Sequence, residues 1–108
     1  MDFCFKQFQR ENYQEYASWF TDAELNKRLG PMDDEWLSAI LARTEEEGIT
    51  WAVYLGAEMV GVAETVFDPE KVLPVGITAL AVKPVLRRQG IGSVILRELL
   101  VSHNRLGI

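Results

Sequence analysis

The passage from Val75 to Leu100 constrains this chain more than any other part of it. An almost unbroken apolar run, Val75 to Val82, leads through Lys83-Pro84-Val85-Leu86-Arg87-Arg88-Gln89-Gly90-Ile91-Gly92-Ser93 into Ile91, Val94, Ile95, Leu99 and Leu100 at helical intervals. The pattern is strand, loop, helix, and the continuous run predicts a central strand buried on both faces. The first turn of a helix offers backbone N–H groups without internal partners at the positive end of the macrodipole, which suits an anion. Gly90 and Gly92 remove side chains that would keep a pyrophosphate from those groups, Arg87 and Arg88 add positive charge, and Ser93 can donate a further hydrogen bond. On these features alone an anion site and a glycine-eased turn with solvent-facing arginines are both open. A dinucleotide fingerprint would need three glycines early in a chain of βαβ units, and the lysine of a phosphate-binding P-loop is missing.

The preceding residues supply the other elements. Phe3 to Phe8 alternates as a strand, and Tyr13, Tyr16, Ala17 and Phe20 then fall at helical spacing within Glu11 to Phe20. A short helical piece from Ala23 to Leu29 stops at Gly30-Pro31. From Asp33 an amphipathic helix is expected, with Trp36, Leu37, Ile40, Leu41 and Thr44 on one face and Gly48 closing it. Glu45-Glu46-Glu47 would then be a solvated stretch at the helix C-terminus, opposing the macrodipole. ITWAVYL and MVGVAETVF, joined through Gly56-Ala57-Glu58, read as an antiparallel hairpin.

At 108 residues the chain reads as one domain, residues 1–108, with a single core. It contains no run of apolar residues long enough for a membrane span, and its start lacks the regions of a signal peptide, so a cytoplasmic location is expected. Lone Cys4, in a strand segment, is expected to be a small core residue. Residues 1–70 carry 5 Lys/Arg against 15 Asp/Glu, whereas residues 71–108 carry 6 against 1. Such an asymmetry suits a ligand with phosphates at one end and a cationic acceptor at the other, and the acidic total argues against a nucleic-acid partner.

The segment ITALAVKPVLRRQGIGSVILREL closely resembles the signature of the GNAT superfamily of acyl-CoA-dependent N-acyltransferases, whose [QR]-x-x-G-x-[GA] element is matched by Arg87, Gly90 and Gly92 after a strand ending Leu80-Ala81-Val82. The resemblance implies an α+β fold with a mixed, mainly antiparallel GNAT-like sheet flanked by helices in the order β-α-α-β-β-β-α. It implies acetyl-CoA, or another acyl-CoA, as cofactor. Leu80, Ala81 and Val82 would pair with the pantetheine arm, and the N–H groups of Arg88, Gln89, Gly90, Ile91, Gly92 and Ser93 would cradle the pyrophosphate. Arg87 or Arg88 would hold phosphate, and a backbone N–H of the strand would stabilise the oxyanion formed when an amine attacks the thioester. No metal is implied.

The match spans about the first two thirds of a typical member, so the closing strands and helix, with the tyrosine that often protonates the departing thiolate, are expected to be lacking. A homodimer covering the exposed edge of Val75 to Val82 is expected in their place. Glu64 is the first candidate for a catalytic base, to be placed either in solvent or at the pocket, and Asp68 is the second. His103 is expected at the surface. Trp19, Trp36 and Trp51 are expected to pack in the core, with Trp36 also able to line an acceptor groove. The implied activity is acetyl transfer to a primary amine of a small molecule or peptide, and the alternative is a non-catalytic acyl-CoA-binding or interaction module.

Overall fold

A computed structural model describes residues 3–44, 47–67 and 75–105. The chain opens with strand β1 (Phe3–Gln7), followed by helices α1 (Tyr13–Ser18), α2 (Ala23–Leu29) and α3 (Asp34–Ala42). Strands β2 (Ile49–Leu55), β3 (Glu58–Phe67) and β4 (Val75–Val82) come next, and helix α4 (Ile91–Arg105) closes the order. The sheet runs β1-β2-β3-β4 with every described pairing antiparallel. This is the α+β class expected, with the first helix, read over Glu11 to Phe20, breaking off as an α-helix after Ser18.

Local chemistry explains that break. Ser18 Oγ donates to Glu15 O and Thr21 Oγ1 to Ser18 O, so polar side chains compete for the carbonyls that a continuing helix would use. A turn of 3-10 helix at Trp19–Thr21 results. Asp22 then starts α2 afresh by accepting from Leu25 N at 2.9 Å, and Asp33 starts α3 by accepting from Trp36 N at 2.9 Å. The third helix ends at Ala42, short of Gly48, because Thr44 and Glu47 form their own turn: Glu47 Oε1 accepts from Thr44 N at 3.3 Å and from Thr44 Oγ1 at 3.0 Å. Leu41, expected on the buried face, is 39% exposed, whereas Leu37 is buried and Trp36 and Ile40 are half-buried. Glu47 therefore lies beyond the helix and not against its dipole, while Glu45 and Glu46 fall outside the described residues.

The sheet separates two apolar layers. On one face Phe8, Tyr16, Trp19, Leu25 and Leu37 pack on Ala52, Met59, Val62 and Ala81, with Tyr13, Phe20 and Trp36 at the margin. Tyr16 is the hub, its ring 5.4 Å from Trp19, 5.0 Å from Phe20 and 5.3 Å from Trp36. On the other face Ile91 and Ile95 of α4 pack on Val53 and Val60, flanked by Phe3 and Phe5. That alternation turns Cys4 to the opposite side of β1, where it is exposed and not a core residue. Trp51 is half-buried on β2 and its indole N–H donates to Thr65 Oγ1 at 3.1 Å.

The fourth strand departs from its apolar reading. Of its described side chains only Ala81 is buried, and Gly76 and Thr78 are exposed. Among the described residues β4 pairs with β3 alone, so it is an edge strand; an apolar run reports what a strand is able to bury, not whether a neighbour stands beside it.

Candidate functional site

The site grows out of the end of β4. Lys83 N donates to Val60 O at 2.9 Å, the last tie to β3, and Pro84–Leu86 then form a turn of 3-10 helix whose Leu86 joins the α4-side layer. Arg87 is extended, with ψ 153, but Arg88 has φ 63 and Gly90 φ 77, both in the left-handed region. A left-handed arginine costs about 1 kcal/mol and persists where the surroundings over-determine it. These two residues reverse the chain so that α4 starts beneath β4. Gly90 O accepts from Val94 N at 3.3 Å, and the N–H groups of Ile91, Gly92 and Ser93, the donors of a first helical turn, have no partner among the described residues.

Glycine has a different use at each position. Around Gly90 a Cβ would meet nothing within 4 Å, so only its φ demands glycine. At Gly92 a Cβ would sit 3.4 Å from Val82 Cγ2 and 3.6 Å from Leu80 Cδ2, in ordinary contact. Any longer side chain there would start against Leu80 and Val82, which also line the cavity beside this turn.

A cavity of about 380 Å³ lies beside this turn. Glu24, Leu25, Arg28 and Leu29 of α2 form one wall, Leu80, Ala81 and Val82 form the other, and Arg87 and Arg88 close the end. Five of the residues singled out in the sequence thus line one cavity. Gln89, Gly90 and Ser93 are exposed on the adjoining turn, whereas the Ile91 side chain is buried in the α4-side layer, so only its backbone is available.

Arg87 bridges the two sides. Its Nη2 lies 2.6 Å from Asp22 Oδ2 and its Nη1 3.2 Å from Asp22 Oδ1, a two-pronged pair, and Nη1 is also 3.3 Å from Glu24 Oε2. Hydrogen bonding from Arg87 and from the Leu25 N–H holds the Asp22 carboxyl below its ordinary value, and the same pair raises Arg87. Glu24 also pairs with Arg28 at 3.1 Å. Arg88 is exposed and makes no ion pair among the described residues.

Glu64 stands apart from the cavity lining. It is half-buried on β3, with Oε1 3.6 Å from Arg43 Nη1, and its charge together with burial pushes the Tyr16 hydroxyl well above its usual range, burial being the larger cause. Asp68 falls outside the described residues, as does the side chain of His103 within α4. The strand contains one further feature: opposite Glu64 and Thr65 the register slips from Ala79 to Ile77, so Thr78 is a bulge in β4. Asp22, Glu24 and Arg28 escaped the sequence reading. Asp22 before an apolar-periodic helix is a legible cap, but nothing local announces a partner 65 residues away.

An antiparallel sheet with helices on both faces, a glycine turn opening the helix after an edge strand and a cavity beside it define an acyltransferase-like α+β domain. A model of the acetyltransferase (GNAT) family matches residues 5–108, and the chain belongs to that family. Similar solved structures include a transcriptional regulator from Bacillus halodurans C-125 (14% identity, 98% of this chain and 77% of that one, TM-score 0.70). An aminoglycoside acetyltransferase from an uncultured soil metagenomic sample aligns at 18% identity over 98% of this chain and 72% of its own, with TM-score 0.63. A predicted acetyltransferase from Clostridium acetobutylicum, solved with acetyl-CoA, aligns at 14% identity over 99% and 77%, with TM-score 0.56. These likenesses establish the fold. No curated protein matches the sequence significantly, and no helix among the described residues is long and apolar enough to cross a membrane.

Proposed function

We propose that the protein transfers an acetyl group from acetyl-CoA to a primary amine by direct attack. The observation that carries this reading is the cavity joining Leu80–Val82 to the glycine turn at the start of α4. The donor set fits the group: partnerless amides at Ile91, Gly92 and Ser93 suit a pyrophosphate, with Arg88 beside them, and a strand edge suits the amides of pantetheine. Family membership and the acetyl-CoA complex of the Clostridium relative support acyl-CoA use.

When bound, acetyl-CoA supplies an activated acetyl thioester. This chain's residues bind and orient. About half of the β4 backbone groups point away from β3 and would hold an extended arm in place, and the bulge at Thr78 changes the direction of that edge partway along it. An amine nitrogen brought to that carbonyl forms the new C–N bond while the C–S bond breaks, and the proton given up by the amine balances the departing thiolate. Glu64 enters as the acceptor of that proton through solvent, because it does not line the cavity. The acidic N-terminal part, whose helix α2 lines the cavity with Glu24, favours a cationic acceptor, either a small molecule or a peptide amine. The aminoglycoside acetyltransferase among the similar structures supports that class. A second copy covering the part of the free β4 edge before Thr78 completes the reading and leaves Leu80–Val82 to the arm.

The test is release of CoA thiol from acetyl-CoA with a panel of primary amines. Turnover that requires an amine supports the reading. Saturable acetyl-CoA binding without amine-dependent release moves the protein to the binding-module class. A Glu64→Gln variant that retains the acidic limb of the pH–rate profile removes Glu64 from the reaction.

A further inference from the structure

Two adjacent arginines stand at one turn, and their surroundings differ. The Arg87 guanidinium makes a two-pronged pair with the Asp22 carboxylate, with contacts of 2.6 and 3.2 Å, and also reaches Glu24 at 3.3 Å. Glu24 in turn holds Arg28 at 3.1 Å. Asp22, Glu24, Arg28 and Arg87 form a set with no net charge, and the donor edge of Arg87 is already committed. Asp22 performs two tasks with one carboxylate, since Oδ2 also accepts from Leu25 N and caps α2. It therefore joins the first turn of α2, which forms one wall of the cavity, to the turn preceding α4, which closes its end. Arg88, exposed and without an ion pair among the described residues, is the cation at this turn left to meet a ligand.

We infer that Asp22 and Arg87 form a strut that sets the spacing between α2 and the phosphate turn, with Asp22 a positioning residue, and that Arg88 together with the α4 amides receives the phosphate charge. This rests on the acyl-CoA reading above. It reverses the simplest expectation for a motif arginine, which is that Arg87 grips phosphate and Asp22 merely occupies it until ligand arrives. The two arrangements predict opposite signs. If Asp22 competes with phosphate for Arg87, removing its charge frees the arginine and tightens binding. If the pair is a strut, removing that charge loosens the cavity and weakens binding.

The experiment is calorimetric titration of the full chain with CoA, using the wild type, Asp22→Asn, Arg87→Gln, the double variant and Arg88→Gln. Asparagine caps a helix about as well as aspartate, so Asp22→Asn removes the ion pair and keeps the cap. The strut predicts that Asp22→Asn weakens CoA binding about fivefold and that Arg87→Gln adds nothing further in the Asp22→Asn background. Arg88→Gln is expected to weaken binding about tenfold, from loss of a charge-assisted contact. Tighter binding by Asp22→Asn, with Arg87→Gln costing its full effect in that background, would overturn the strut. So would a lowered melting temperature for Asp22→Asn with CoA affinity unchanged, since the pair would then be structural only. Absence of CoA binding by the wild type overturns the acyl-CoA reading itself, and is recognised because the loss precedes any substitution.

Discussion

Gly61 of β3 faces Ile95 of α4 so closely that a Cβ on the glycine would lie 3.1 Å from Ile95 Cδ1 and 3.0 Å from Ala81 O. Ile95 is fully buried, so the helix that opens at the glycine turn is seated on the sheet through this contact. Gly61→Ala is expected to destabilise the domain by about 1–3 kcal/mol through overpacking. Urea unfolding checks this, and an unchanged midpoint would show that α4 is free to shift.

A second stability prediction concerns the start of α3. Asp33→Ala should cost about 1 kcal/mol by leaving the Trp36 N–H without its acceptor, while Asp33→Asn should be close to neutral. Equal losses for both variants would mean that charge at the helix terminus matters more than the hydrogen bond.

The reach of the sequence can be judged from particular residues. The turn from Lys83 to Ser93 was legible because apolar periodicity switches from strand to helix across paired glycines, and both signals are local. Cys4 was misplaced because a residue between two phenylalanines shares their hydropathy but not their face. The burial of β4 was overstated because apolar content carries no information about neighbouring strands. The end of α3 was set by a Thr44–Glu47 turn that competes with helical periodicity. Asp22 and Arg87 meet only after two helices and three strands have folded between them, and no spacing rule reaches that far.

Arg88 stores backbone strain at the turn proposed to receive ligand charge, since its φ of 63 lies in the left-handed region that an arginine side chain disfavours. Arg88→Gly is expected to raise stability by about 1 kcal/mol while lowering CoA affinity, a trade read by urea unfolding and calorimetry on the same sample. Gains in both would exclude Arg88 from the site.

The pH response follows from Asp22. Its folded carboxyl lies below the ordinary value of 3.8, through the Arg87 hydrogen bond first and the Leu25 N–H second. The pair's stabilisation is therefore complete above that ordinary value and is lost as pH falls below it, toward the folded value. Thermal melts between about pH 5 and about pH 2 should fall more steeply for the wild type than for Asp22→Asn. Parallel curves would show that the pair contributes nothing to stability.

The central claim is that the glycine turn at the start of α4 binds acetyl-CoA, and the most direct measurement is a thermal melt with and without that ligand for the wild type and Gly92→Glu. Ligand at 100 times its dissociation constant stabilises by about 2.7 kcal/mol, enough to raise the melting temperature of a domain this size by at least several degrees. The predicted result is a shift for the wild type and none for Gly92→Glu, whose side chain would start against the cavity-lining Leu80 and Val82 and add negative charge beside the turn. An unshifted wild type at millimolar acetyl-CoA, or an equal shift in the variant, would contradict the account.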